Sequence, residues 1–111
     1  MAYDERLAER LRGLIGAEPG LTEKKMFGGL AFLVRGNMAV GASGQGGILV
    51  RVDPETSAGL VASTPAGPME MRGRQMAGWL RVRDADIETD EDLKPWVERG
   101  VAFARSLPAK E

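Results

Sequence analysis

The 111-residue sequence predicts an α+β domain, a two-layer α/β sandwich whose antiparallel five-stranded sheet follows the order α-β(3)-α-β(2)-α. Three observations carry that expectation. Apolar residues recur at helical spacing near both ends of the chain, short apolar or alternating runs punctuated by glycine fill the centre, and an Asp-Pro pair divides those runs into two groups. A chain of this length makes one domain, residues 1–111.

The first helix is expected over residues 4–16. Leu7, Leu11, Leu14 and Ile15 share one face, Asp4 supplies the cap, and Gly16 with Pro19-Gly20 ends it. From Met26 to Val34 the run is apolar and too rich in glycine for a helix, so it reads as a strand. Gly36-Asn37 then suits a type II′ hairpin returning along Met38–Ala42. Residues 43–47 read as a loose second turn and Ile48–Val52 as a third strand. On that strand Ile48, Val50 and Val52 face one way, Leu49 and Arg51 the other. Together these strands make a three-stranded meander.

Asp53-Pro54 is a strong helix start, because Asp caps and Pro is tolerated in the first turn, so a second helix is expected over Pro54–Ala62. Two short strands follow, near Met69–Arg72 and Trp79–Arg83, joined by residues 73–78. The final helix carries Leu93, Trp96, Val97, Val101, Ala104 and Leu107 on one stripe, with Thr89 as its cap. Pro95 sits deep for a helix beginning at Asp90, so a tighter turn is expected there, becoming α-helical around Asp92.

Composition removes several chemistries. With no cysteine there is no disulfide framework, thiol nucleophile or zinc-thiolate site, and with no histidine the commonest general base is absent. A net charge of −1 argues against binding driven by bulk attraction to a polyanion. The opening residues lack a signal-peptide pattern, and the longest uncharged run, Met26–Val34, falls well short of the roughly 20 residues a bilayer span needs. A cytoplasmic protein with no membrane association is expected.

Individual motifs point the same way. Gly28-Gly29 and the 41–47 turn lie between strands rather than ahead of a helix, so they read as a bulge and a hairpin, not a phosphate cradle. The acids Asp84, Asp86, Glu88, Asp90, Glu91 and Asp92 lack calcium-loop spacing and read as caps and solvating charge. No serine or threonine has a histidine partner or a lysine-dyad spacing. An enzyme is therefore not expected, and no cofactor or metal is implied.

The arginines are more informative: they outnumber lysine eleven to four. Trp79, Arg81 and Arg83 share one face of their strand, Arg51 has the outward parity on its own, and Arg72 and Arg74 lie close by. If the strands are neighbours, an open sheet face carries guanidiniums beside an aromatic ring. Such a surface suits an acidic protein patch with Trp79 as anchor, or phosphates and bases. A solvated face balanced by the acids at 84–92 is the plainer alternative. Met26, Met38, Met69, Met71 and Met76 gather in the strand region, as core filling or as an adaptable surface.

The run Glu23–Phe32, continued by Gly36–Gly41, Pro68-Met69, Gly73–Trp79 and Trp96–Ala104, resembles the TfoX/Sxy N-terminal domain over nearly the whole chain. The Met-Phe-Gly-Gly segment followed by Gly-x-x-Met-x-Gly-Trp is the most specific part. That resemblance implies the α-β(3)-α-β(2)-α fold and a link to natural competence, since full-length members act as coactivators with the cyclic-AMP receptor protein. It brings no catalytic residues. The sequence stops at Glu111, before the helical C-terminal domain of those members, so a stand-alone domain is expected. The expected function is a regulatory domain that binds a protein of the transcription machinery through Arg51, Arg72, Arg74, Trp79, Arg81 and Arg83. Direct nucleic-acid binding by the same face, or a homodimer burying it, are the alternatives.

Overall fold

Three short polar side chains start the three helices of the structure, a computed structural model that describes residues 3–26 and 28–109. Phe27, expected within the first strand, lies outside the described residues, as does the side chain of Met71. Asp4 accepts from the N–H groups of Arg6 and Leu7 and opens α1 (Glu5–Ile15). Asp53 accepts from Glu55 and opens α2 (Pro54–Ser63), and Thr89 accepts from Asp92 and opens α3 (Asp90–Ser106). Each satisfies a donor that the first helical turn leaves without a backbone partner. α3 is helical from Asp90, earlier than expected. The tight opening is confined to one bond, from Asp92 N–H to the Thr89 carbonyl at 3.1 Å, beside the regular bond from Leu93 at 3.0 Å. Pro95 lies inside the helix.

The sheet has six strands, not five: β1 (Leu21–Met26), β2 (Gly29–Val34), β3 (Asn37–Ala42), β4 (Ile48–Arg51), β5 (Gly67–Met71) and β6 (Arg74–Val82). They lie in the order β1-β2-β3-β4-β6-β5, every neighbour antiparallel. The strand missed from sequence is β1. Its Thr22, Glu23, Lys24 and Lys25 are exposed, as suits an edge whose charges discourage pairing with another chain. Gly28, with φ 74°, belongs to the β1–β2 turn rather than to a bulge. The bulge lies further along, where the β2–β3 register slips between Phe32 and Leu33.

Two of the hairpin turns among the described residues are Arg-Gly. Arg35 and Gly36 have φ of 54° and 82°, and Val34 faces Asn37, so the β2–β3 turn has the type I′ signature instead of the expected II′ at Gly36-Asn37. Arg72 and Gly73 repeat it, with φ of 55° and 78° and Met71 facing Arg74. β6 consequently begins at Arg74, inside the stretch expected to be a linker. Between Pro68↔Leu80 and Glu70↔Gln75, β5 advances two residues while β6 advances five. The excess bows β6 out at Met76–Gly78, where the Gly78 carbonyl accepts from Val52 N–H at 2.8 Å.

Strand parity divides the interior. Phe32, Val34, Val40, Ile48, Val50, Leu80 and Val82 join Leu7, Leu11, Leu93, Trp96, Val97 and Val101 in one large cluster. Ala31, Leu33 and Leu49, of the opposite parity, form a second cluster together with Met38, which the register slip beside Ala39 turns to their side; Met26, Met69 and Trp79 pack against it and no helical residue is in it. Among the described residues, no helix is long and apolar enough to cross a membrane.

α3 lies against the sheet where the backbone is closest. A Cβ on Gly100 would stand 2.3 Å from the Ala39 carbonyl oxygen and 3.4 Å from Val50 Cγ1, so only glycine permits the contact. The buried Asn37 donates to the Pro108 carbonyl at 2.8 Å and ties the chain beyond α3 back to β3. α1 is fastened by ion pairs: Arg10 to Asp90 at 2.9 Å, and Arg12 to Glu23 of β1 through two bonds of 2.7 and 2.9 Å. Arg105 grips Glu18 with its Nε and a second nitrogen, closing α3 onto the α1–β1 turn.

Two predictions follow from this packing. Gly100→Ala should destabilise by about 1–3 kcal/mol in urea unfolding, the usual range for an overpacked site. Gly13→Ala on α1, where a Cβ meets nothing within 4 Å, should instead stabilise, by about 0.5–1 kcal/mol. The second concerns acid. Hydrogen bonds from Arg105 and Arg12 hold the carboxyls of Glu18 and Glu23 below their ordinary value of 4.5. Their stabilisation is complete above that value and lost as pH falls through the lower folded values. Melting temperatures of Glu18→Gln and Glu23→Gln should lie below wild type at neutral pH and converge with it in acid.

Candidate functional site

The second cluster paves the sheet face that carries the arginines singled out in the sequence. β4 and β6 pair so that Arg51 faces Trp79 and Leu49 faces Arg81. Leu80 and Val82 point into the helix-side core, which leaves Trp79 and Arg81 on the other face, roughly 7 Å apart along the strand. The structure therefore brings Arg51, Trp79 and Arg81 together.

These guanidiniums are held. That of Arg51 sits 5.2 Å from the centre of the Trp79 ring and 5.5 Å from that of Phe103 on α3, a cation–π bridge between strand and helix. Arg81 donates to Gln45 Oε1 and, at 3.4 Å, to Ser43 Oγ. Both acceptors lie in the β3–β4 loop, which is ordered rather than loose. Ser43 N–H donates to the Gly47 carbonyl at 2.9 Å, and Gln45 N–H to Ser43 Oγ at 3.1 Å. Gly47 N–H donates to Asp84 Oδ2 at 3.1 Å, and a Cβ on Gly47 would fall 2.2 Å from the Val82 carbonyl oxygen. Glycine thus lets the loop lie against β6, and Asp84 clamps it there.

The other three expected residues divide. Arg72, in the β5–β6 turn, lines a cleft of about 340 Å³ with Arg81, Ser43, Gln45, Leu49, Met69 and Glu70. Arg74 is exposed at the start of β6 and does not line that cleft. Arg83 lies beyond the end of β6 and pairs with Asp86 at 3.3 Å; it shares with Arg81 a smaller cleft of about 150 Å³ beside Gln45 and Asp84, not the one that Arg72 lines. The acids expected as caps and solvating charge have individual tasks. Asp84 clamps the loop, Asp86 holds Arg83, and Asp90, in the first turn of α3, pairs with Arg10.

Ser43, Gln45, Asp84 and Phe103 escaped the sequence reading, because each gains its role from a residue distant in the chain. Two further clefts flank α2. One of about 410 Å³ lies against the bowed part of β6, and one of about 430 Å³ faces Phe103 and Arg99 of α3. α2 buries Ser57 alone, so it is the least embedded of the helices.

The clamp is testable. Asp84→Ala should speed amide exchange at Gly47 and lower stability by about 1 kcal/mol, as expected for one lost hydrogen bond. Both are read from hydrogen exchange and urea unfolding of the same samples.

Comparison with known proteins supplies the family. A search of curated proteins finds no match to this chain. The family model described as the TfoX N-terminal domain matches residues 14–104, from the last turn of α1 through all six strands to the last turn of α3. With most of its length so matched, the chain belongs to the TfoX N-terminal domain family.

Proposed function

We propose that this domain is a non-enzymatic regulatory module, cytoplasmic and acting in transcriptional control of the kind exercised over natural competence. It docks a protein of the transcription machinery on its open sheet face. The reading takes the molecule as a two-layer sandwich, with helices on one side, the Trp79–Arg81 face left for a partner, and Arg51 at its margin, where it also reaches Phe103 of α3. The observation that carries it is the second apolar cluster, which reaches Trp79 and contains no helical residue. Trp79 is half-buried, rigidly backed by the sheet and flanked by Arg51 and Arg81, and aromatic and arginine side chains are the usual anchors of protein interfaces. Family membership supports the regulatory setting.

Arg81→Glu, chosen because it reverses charge without touching the helix-side core, tests the reading. Beside wild type in a pull-down from lysate, and with equal melting temperatures, the variant should lose a partner that survives nuclease treatment. Loss of that partner on nuclease treatment would favour nucleic acid instead. A monomer–dimer equilibrium abolished by the substitution would identify the face as a dimer contact. Identical partners in both samples would remove the face from the function.

A further inference from the structure

We propose that the cleft between the β3–β4 loop and β5 receives one carboxylate on an apolar stem, the glutamate or aspartate side chain of a protein partner. This rests on the open-face reading and names the chemistry at its centre.

The cleft is built around Arg81. A guanidinium has five N–H donors in a planar fork, and here the hydrogen bonds go to two neutral acceptors, Gln45 Oε1 and Ser43 Oγ. None of the salt bridges among the described residues reaches Arg81 or Arg72. Four other arginines, Arg10, Arg12, Arg83 and Arg105, each hold a carboxylate. Glu70 lines the same cleft yet makes no ion pair with either arginine. Arg81 is therefore oriented without being neutralised, and its free donors match the two oxygens of a carboxylate.

Two features choose among anions. The lining has two guanidiniums and one carboxylate, leaving a single positive charge, which balances a monoanion and leaves a phosphate dianion in excess. Leu49 and Met69 supply an apolar wall for the methylene groups that carry the carboxylate. The cleft also opens beside β5, an edge strand of the sheet, where a second protein can approach without displacing a neighbouring strand.

The test is an NMR titration of the isotope-labelled domain with an end-blocked Gly-Gly-Glu-Gly-Gly peptide. Three companions complete the set: its Gln counterpart, its phosphoserine counterpart, and N-acetylglutamate amide. The Glu peptide should give saturable shifts at the amides of Ser43, Gln45, Gly46 and Gly47 and at Arg81 Nε. The Gln peptide should bind at least about tenfold more weakly, and Arg81→Gln should lose a comparable factor with its melting temperature unchanged. Arg81→Lys, which keeps the charge and loses the fork, should retain only part of the affinity. Equal binding of the Gln peptide, tighter binding of the phosphoserine peptide, or an indifferent Arg81→Gln would overturn the proposal. N-acetylglutamate amide binding as tightly as the peptide would assign the cleft to a free small carboxylate and overturn the partner source. If Arg81→Gln leaves peptide binding intact while Trp79→Ala abolishes partner capture, the carboxylate site fails and the open-face reading stands. If the Glu peptide binds as expected but neither Trp79→Ala nor Arg81→Glu alters capture, the carboxylate site stands and the open-face reading fails.

Discussion

The contact between Gly100 and Ala39 is the constraint on which the remaining architecture depends. Residue 39 falls at the register slip of β3, where Leu33 faces Met38 and Phe32 faces Val40, so its backbone has no partner directly opposite. α3 comes down on that spot, close enough that any side chain at 100 would meet the carbonyl. A glycine in a helix interior is unfavourable by roughly 0.5–1 kcal/mol, and here close packing offsets that loss. The approach seats Leu93, Trp96, Val97, Val101 and Ala104 in the core. α1 then packs on α3 and is pinned through Arg10 and Asp90, so the placement of the first helix follows from that of the last.

The second cluster buries its own centre without a helical residue. Its members Ala31, Leu33, Met38 and Leu49 are buried, and the partly buried Met26 and Met69, on the two edge strands, pack against them. Methionine suits this position because an unbranched, polarisable chain adapts to an irregular gap. Met38 is core, whereas Met76, on the bowed segment of β6, is exposed. The same arrangement explains the glycines of the 43–47 loop. A loop that must lie on the Val82 backbone and still present Ser43 and Gln45 toward Arg81 has no room for a side chain at 47.

Much of this was legible because it depends on neighbours in sequence. Caps at Asp4, Asp53 and Thr89, the stripe of α3 from Leu93 to Ala104, and the alternation of Ile48–Val52 and Trp79–Val82 are local signals and emerge as read, whereas Leu107 falls past the helix end as its C-cap. β1 was not legible. Thr22-Glu23-Lys24-Lys25 has the composition of a solvated linker and becomes a strand by pairing with β2, while Glu23 accepts from Arg12. The length of β6 was hidden for a related reason. Gly73 and Gly78 looked like linker ends, whereas one belongs to a hairpin turn and the other to a bow held by Val52. Of the proposed site, strand parity brought out Arg51, Trp79 and Arg81. Their partners Phe103, Gln45 and Ser43 required the tertiary fold.

Arginine, abundant here, is used in three distinct ways. Arg10, Arg12 and Arg105 join segments far apart in the chain to carboxylates, Arg12 and Arg105 through two nitrogens each, a geometry that fixes orientation as well as charge. Arg51 and Arg99 lie over aromatic rings, where the guanidinium plane is held without an acid, Arg99 at 4.6 Å from the centre of Trp96. Arg81 belongs to neither group. It is oriented by neutral side chains, with no carboxylate among the described residues paired to it, beside the apolar side chains of Leu49 and Met69. With a net charge of only −1, long-range attraction contributes little to recognition, so selectivity falls to positioned charges of short range. A guanidinium fixed beside an aromatic anchor has that character, since a partner must satisfy its geometry and its charge at once. Ordering Arg81 before a partner arrives also reduces the rotamer entropy lost on binding, and the clamped loop contributes to affinity without touching the partner.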